Sequence, residues 1–595
     1  MEKRTLLAVV LSVMVISVFY MVQAMLMPPP PEAVPQTPAA EQPVVATEAA
    51  EPGPAQDDSA GTAQVSGEIL DAETEVIAEQ RILIETDLAQ ITLTNAGGDV
   101  VSYKLKEHAE GDEYVDMIFG GEAEGHAFTI AFGGNRAAPV TNLFHVNRVS
   151  DTIVEFYRDF SAAANGGGTF RLTKRYDFRP GEYMFELTVS IDGGRSMESI
   201  NFSGAAYTLE FGPQIGPAFE KLDQRYEYRQ YYTYSNGKKK SEKVGSGINE
   251  INSRVSWAAI VGKYFTFIAV PDSTQYSMAF STEPEPGLPS ASRFLMTRPP
   301  VNSSRTVDTY RFYLGPKSQK ALGVYDTADN SFKLRDLRIV ELSTSGGFLG
   351  PLESLLKLLL QFFYHIIPNY GVAIILLTLL VKVVMFPFTK KGSESTLRMQ
   401  ALSPKIQEIQ TKYKDNPNKM NAEMAELYKK EGYNPLSGCL PMLIQLPIFF
   451  AMYNLFNSHF DLRGAMFIPG WIPDLSQPES VWNFAPFRIP ILGWSDLRLL
   501  PFIYVGSQLL YGRVTQTPDQ KGSAQMKIML YAMPIMFFFI LYDVPSGLLV
   551  YWIMSNILTM VQQVTINKYL AQHKAKMAAE NPDPVIAPRK KKKKK

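Results

Sequence analysis

Lys382 is the residue most out of place in this 595-residue chain. It stands inside the apolar run Leu376-Leu377-Thr378-Leu379-Leu380-Val381-Lys382-Val383-Val384-Met385-Phe386-Pro387. A charged group near a helix centre costs about 2.5–3.5 kcal/mol on membrane-insertion scales. Two arrangements relieve that cost. The ammonium faces a water-filled cavity between helices, or it snorkels to the interface past Pro387, about 7 Å further along a helix. Thr378 lies one helical turn away on the same face. Gln445, Asn454, Ser507, Gln508, Ser555 and Asn556 also fall inside apolar runs. Such groups converge on an internal hydrated surface or bond one helix to another. The chemistry open to them is transient capture of charged or polar groups, or ion passage.

Bond-making chemistry has no visible apparatus. The histidines at 108, 126, 145, 365, 459 and 573 show neither HExxH nor another paired metal spacing. There is no GxSxG elbow and no phosphate-cradling GxxxxGK[ST] loop. The single cysteine, Cys439, permits neither an intrachain disulfide nor a cysteine-based metal cluster. The expectation is a protein that is not an enzyme, with no catalytic residue, metal or cofactor. At the C-terminus, Arg589 is followed by Lys590, Lys591, Lys592, Lys593, Lys594 and Lys595. That run suits anionic lipid headgroups or ribosomal RNA, both through phosphate electrostatics, or it only solubilises the tail.

Two unlike halves position these residues, and the net charge of -1 and mean hydropathy of -0.07 average over them. Lys3 and Arg4 precede Leu6–Leu26, an uncharged run about 31 Å long as a helix, enough to cross the hydrocarbon core. It reads as an anchor over 1–26 with its amino end in the cytoplasm, or as a signal peptide cleaved near Val22-Gln23-Ala24. Residues 27–80 open on Pro28-Pro29-Pro30-Pro31, hold no Lys or Arg, and form a disordered acidic linker. Residues 81–343 change to period-two alternation. Phe185, Leu187, Val189 and Ile191 alternate with Glu186, Thr188 and Ser190, and Ile82/Ile84 and Ile91/Leu93 do the same. Gly97-Gly98, Gly120-Gly121, Gly133-Gly134 and Gly193-Gly194 punctuate the segment as turns do. This predicts an all-β sandwich.

The second half is helical. Over 344–369, Leu352, Leu355, Leu356, Leu359, Phe362, Phe363 and Ile366 recur at helical spacing opposite Glu353, Lys357 and Gln361. That pattern suits a helix on the membrane surface, or one buried against the β domain. Five apolar runs follow, placing spans at 370–388, 439–457, 497–511, 528–543 and 544–567. Charge orders the loops: 389–438 holds nine Lys/Arg, 512–527 three and 568–595 ten, whereas 458–496 holds only Arg463 and Arg488. Basic loops stay cytoplasmic. With the anchor this predicts six spans, both termini inside, a cytoplasmic helical hairpin over 389–438, a periplasmic loop over 458–496, a cytoplasmic loop over 512–527 and a basic tail over 568–595.

Three stretches resemble the YidC insertase family: Val381-Lys382-Val383-Val384-Met385-Phe386-Pro387-Phe388-Thr389-Lys390, Asn434 through Phe449 with Asn434-Pro435-Leu436-Ser437-Gly438-Cys439, and Val544 through Asn556. Trp257 through Pro271, with Lys263-Tyr264-Phe265, is similar to the exported domain of the Gram-negative branch. The resemblance implies a five-helix insertase core, a periplasmic β-super-sandwich over 81–343, and a hydrophilic groove open to the cytoplasm and the lipid. It carries groove roles onto Thr378, Gln445 and Phe449. The family's groove cation is typically Arg. Lys382 keeps the charge without the planar donor fork. A family Tyr falls on Trp552, which keeps an aromatic body and one donor but accepts no hydrogen bond. Gln508 and Asn556 join the groove on their polarity within spans.

The function implied is insertion of nascent transmembrane segments from the cytoplasm into the bilayer, with chaperoning of their folding. It acts alone or with a Sec-type translocon and without nucleotide hydrolysis. Implied partners are nascent membrane proteins, the ribosome through the hairpin and basic tail, the Sec translocon and the lipid bilayer, with no DNA. The location is the inner membrane, multi-pass, with 27–345 periplasmic. A transporter or channel using Lys382 as an ion or substrate site is the alternative, and a carbohydrate-binding envelope protein is a third reading.

Overall fold

The computed structural model describes residues 69–580 except 74–75, 111–112, 122–124, 163–167, 196, 220–221, 223–226, 273, 345–348, 415, 432–439, 491 and 516–530. The expected anchor, most of the linker, Cys439 and the lysines at 590–595 lie outside the described residues.

Alternation builds the first half. In strand Met184–Asp192, Phe185, Leu187, Val189 and Ile191 are buried while Glu186, Thr188 and Ser190 are half-buried, since successive side chains of a strand point to opposite faces. This strand pairs antiparallel with Thr169–Phe178 and with Arg305–Pro316 inside a 10-stranded sheet. A 5-stranded and a 4-stranded sheet share its core. Phe211 of the 5-stranded sheet stacks on Phe267 of the largest, ring centroids 4.0 Å apart. Ile84, Ile91 and Leu93 bring in the 4-stranded sheet. At Gly98, φ is +64° and a Cβ would lie 2.9 Å from that of Phe156, so this turn between strands admits no side chain. Beside it the core encloses an ion pair. Lys174 is fully buried, its Nζ 2.7 Å from Asp99 Oδ1 and donating also to the carbonyls of Gly97 and Phe128.

A short helix, α1 (Gln319–Gly323), capped by Ser318, leads out of the β domain. The helical half comprises α2 (Gly350–Ile366), α3 (Tyr370–Lys412), α4 (Pro417–Lys430), α5 (Leu440–Ser458), α6 (Leu500–Thr515), α7 (Met533–Ile540) and α8 (Ser546–Glu580). Helix α2 buries Leu356 and Leu360 against α3 and α5 and leaves Leu355, Leu358, Phe362 and Ile366 exposed. Its buried face therefore packs on the helical half, and those four apolar side chains stand outside that contact.

Two expected boundaries differ. The span at 370–388 and the first hairpin helix are one 43-residue helix, α3, which continues through Pro387. The helix that carries the last expected span, 544–567, continues beyond it to Glu580 within α8. Gly392 and Asn567 stand near those positions, yet α3 and α8 pass through both, so the helix continues where only polarity changes. Within the hairpin expected over 389–438, the break between helices falls at Asn416-Pro417. Asn416 caps α4, accepting from Lys419 N at 3.1 Å, and Pro417 takes the first turn, where its missing N–H is harmless. Among the described residues, Tyr370–Gly392 and Ser546–Lys568 are long and apolar enough to cross a membrane by length and composition. Helix α6, with 16 residues, spans about 24 Å, short of the hydrocarbon thickness.

Helix α3 begins against the 458–496 loop. A Cβ on Gly371 would lie 2.0 Å from the Phe467 ring, so only glycine allows this approach. Gly371→Val should destabilise the helical half by about 1–3 kcal/mol through overpacking. Thermal denaturation of the detergent-solubilised chain measures this, and an unchanged midpoint would show that Phe467 moves freely.

The two halves meet at Phe460, which contacts the rings of His108, Tyr264 and Phe265. Arg463 lies over the Phe265 ring and donates to the Ala109 carbonyl at 3.1 Å. Burial, with Arg463 second, pushes the His108 imidazole down to about 4. Burial likewise holds His459 well below its ordinary range, opposed by Asp461 and reinforced by Lys357. Imidazoles that stay neutral in the fold titrate near 6.5 once unfolded, so below that pH the unfolded chain binds more protons. Stability from this junction is complete above pH 6.5 and falls as the pH drops towards 4. Melting curves across that range should show the loss, and His108→Gln with His459→Gln should flatten it; an acid limb as steep in the double variant would clear these residues of the effect.

Candidate functional site

The helical half is packed unevenly along its length. Near the β domain, α3 buries Tyr370, Ala373, Ile374, Leu377 and Thr378, and α8 buries every residue from Ser546 to Tyr551. Helices α5 and α6 contribute Ala451, Met452, Leu455, Phe456, Leu500 and Tyr504 to the same core. Towards the other end the packing opens. Between Leu379 and Lys391 only Met385 is buried on α3. No described side chain is buried over 444–450, 508–514 or 556–565.

The polar groups singled out in the sequence lie mostly in this open half or at its floor. Lys382, half-buried, turns its Nζ across to α8 and donates to Thr559 Oγ1 at 2.9 Å. Gln562 Nε2 donates to the Lys382 carbonyl at 2.9 Å. One to two turns back along α8, Asn556 Nδ2 donates to Ser507 Oγ on α6 at 2.9 Å. Gln508 Nε2 donates to the Tyr504 hydroxyl at 2.9 Å. Trp552 closes the floor, stacked on Phe449 of α5 with centroids 5.6 Å apart and 5.9 Å from the Tyr504 ring. Its Nε1 is buried and has no hydrogen-bond partner among the described residues. Gln445, one turn before Phe449, is half-buried.

Thr378 corrects the expected arrangement. It is fully buried and its hydroxyl donates to the Ile374 carbonyl at 2.6 Å, so it belongs to the sealed core beneath the polar groups. The partners of Lys382 are instead Thr559 and Gln562, which the sequence reading passed over. Their signal was present as the stripe Ser555, Asn556, Thr559, Gln562 and Gln563 along one helix at spacings of three and four. Tyr504 was missed because an aromatic ring in an apolar run carries no sign that its hydroxyl is used.

Outside the bundle the pattern inverts that of a water-soluble protein. Leu379, Val383, Val384, Phe502, Leu510, Ile535, Phe539, Ile557 and Val561 are exposed, while Ser507, Ser555 and Lys382 lie inward. Exposed apolar surface on this scale needs an apolar surrounding. Together with the β domain it defines a membrane protein bearing a large folded domain beside its helical half.

Residues 362–574 match the family model described as 60Kd inner membrane protein, and residues 81–337 match that of the YidC periplasmic domain. The chain is 46% identical over 587 residues to the membrane protein insertase YidC of Treponema denticola, covering 96% of this chain and 99% of that protein. It is 39% identical over 623 residues to the YidC of Treponema pallidum, covering 96% and 100%. An active YidC insertase crystal structure with the first transmembrane domain resolved aligns at 16% identity with a TM-score of 0.35, covering 83% of this chain and 94% of that one. The chain belongs to the YidC membrane protein insertase family.

Proposed function

We propose that this protein takes nascent transmembrane segments from the cytoplasm and delivers them to the bilayer through the open half of the helical bundle. The supporting observation is the coincidence of loose packing with polar side chains. Lys382, Thr559, Gln562, Asn556, Ser507 and Gln508 all lie at or beyond the point where burial stops. A polar flank of the incoming segment meets donors and acceptors there, and its apolar stretch meets the exposed Val383, Val384, Val561 and Val564. Transfer of that stretch into lipid drives the step, so no nucleotide is needed.

In this reading six spans place both termini in the cytoplasm and 27–345 in the periplasm, with short α6 favouring a thinner bilayer beside the path. The α3–α4 hairpin, held by Lys405 and Glu431 at 2.6 Å and by Tyr413 and Glu423, receives the ribosome together with the basic tail. A Sec-type translocon is a partner for larger substrates.

Photocrosslinkers at 382, 445 and 562 should trap a stalled nascent membrane protein, whereas one at the sealed position 378 should not. Silence from all three open positions would remove the groove as the route.

A further inference from the structure

A second polar site lies away from the bundle interior, where the β domain, α2 and the end of α5 meet. There a cavity of about 70 Å³ is lined by Lys317, Lys320, Lys357, Glu353, His459 and Asp461, among others. Each wall has a structural origin. Lys317 follows the long strand Arg305–Pro316, and Lys320 sits on α1. Glu353 and Lys357 are one turn apart on the polar face of α2, and His459 and Asp461 follow α5.

The donors are unusually placed. None of the three lysines forms an ion pair among the described residues. Lys317 is buried and its Nζ donates to the Tyr228 hydroxyl and the Gly262 carbonyl, both at 2.9 Å, leaving one of three ammonium protons over. His459 is 2% exposed at its side chain, and its Nε2 makes no hydrogen bond among the described residues; an Asp461 carboxylate oxygen is 3.6 Å away. That carboxylate is engaged by Gln361 and by the Tyr370 hydroxyl. Lys317, Lys320 and Lys357 thus line this space together with Glu353 and Asp461. Burying an ammonium group is costly even where carboxylates lie nearby, as Glu227 and Glu353 do for Lys317 and Asp461 and Glu353 for Lys357. Burial holds Lys317 down to about 8 and also lowers Lys357. An anion would reverse that cost.

We propose that this cavity is a binding site for a single phosphate group, presented by an anionic lipid headgroup or free in solution. The lipid source has a geometric basis. Helix α2 lines the cavity with its polar face and exposes Leu355, Leu358, Phe362 and Ile366, so a helix lying on the membrane sets the cavity at headgroup depth. Bound phosphate pairs with the lysine ammonium groups and joins the β domain to the helical half through one ligand. This depends on the membrane placement proposed above but not on insertion activity.

The full-length protein in detergent, titrated calorimetrically with inorganic phosphate and separately with short-chain phosphatidylglycerol, tests the site. At least one probe should bind saturably at one site per chain. Lys357→Gln should weaken that binding at least tenfold. Lys320→Glu should do the same, and since Lys320 is exposed on α1 it leaves the fold intact. Lys382→Ala should bind as the unsubstituted protein does. Binding of phosphatidylglycerol alone identifies a headgroup site; binding of both probes with the same variant dependence identifies a bare phosphate site. Absence of saturable binding of either probe, or binding that Lys320→Glu leaves unchanged, overturns the proposal.

Discussion

Replacing Lys382 with alanine should lower insertion of substrates with acidic exported flanks by about tenfold, while substrates with uncharged flanks insert as before. A hydrogen bond to a charged group contributes about 1.5–3 kcal/mol, and each 1.4 kcal/mol is about a factor of ten. The low end applies because Lys382 is half-buried and its Nζ already has Thr559 as a partner, which an incoming carboxylate must displace or share. The chain should still fold, since the ammonium bonds a neutral hydroxyl and its removal strands no buried charge. Lys382→Arg should retain activity, the planar fork adding a second parallel bond to a carboxylate. The measurement is protease protection of a radiolabelled substrate in inverted vesicles, with paired acidic and neutral flanks. Equal insertion of both by Lys382→Ala would show that the charge captures nothing.

The largest stability effect is expected far from that site. Asp99→Ala should cost about 3–5 kcal/mol, because it leaves Lys174 as an unpaired cation inside the β domain. Lys174 is fully buried, its remaining partners are the Gly97 and Phe128 carbonyls, and burial already lowers its pKa against the pull of Asp99. Lys174→Met should be the milder change, since buried Asp99 keeps a partner in the half-exposed His126, 3.3 Å away. The double variant Asp99→Leu with Lys174→Met should recover much of the loss, as apolar replacement of a buried pair often does. Calorimetry of the full chain reads this in the transition assigned to the β domain; an Asp99→Ala shift no larger than that of Lys174→Met would mean the ammonium deprotonates at little cost.

Local chemistry explains which expectations carried over. The β half was legible because alternation at Phe185, Leu187, Val189 and Ile191 states which face is buried, and a strand has only two faces. The amphipathic face of α2 was legible for the same reason at helical period. Helix ends were less so. Pro387 and the basic run after it mark a change of surroundings, not of backbone, and α3 passes through both. At the site, Lys382, Gln508 and Asn556 stand out in sequence because a polar group in a span needs a reason to be there, whereas Phe449 and Trp552 were indicated only by the family resemblance. Thr378 satisfies itself against its own helix, an option that composition does not reveal.

The amino-acid order by itself determined the two halves, the apolar runs, the charge pattern between them and the presence of a cation where lipid would forbid one. Only the tertiary structure decided how those groups combine: that Lys382 reaches Thr559 across 177 positions, that Asn556 meets Ser507, and that packing is dense near the β domain and loose beyond it. Periodicity describes one element against its surroundings. Which element supplies those surroundings depends on contacts between residues distant in the chain, and no local pattern encodes them.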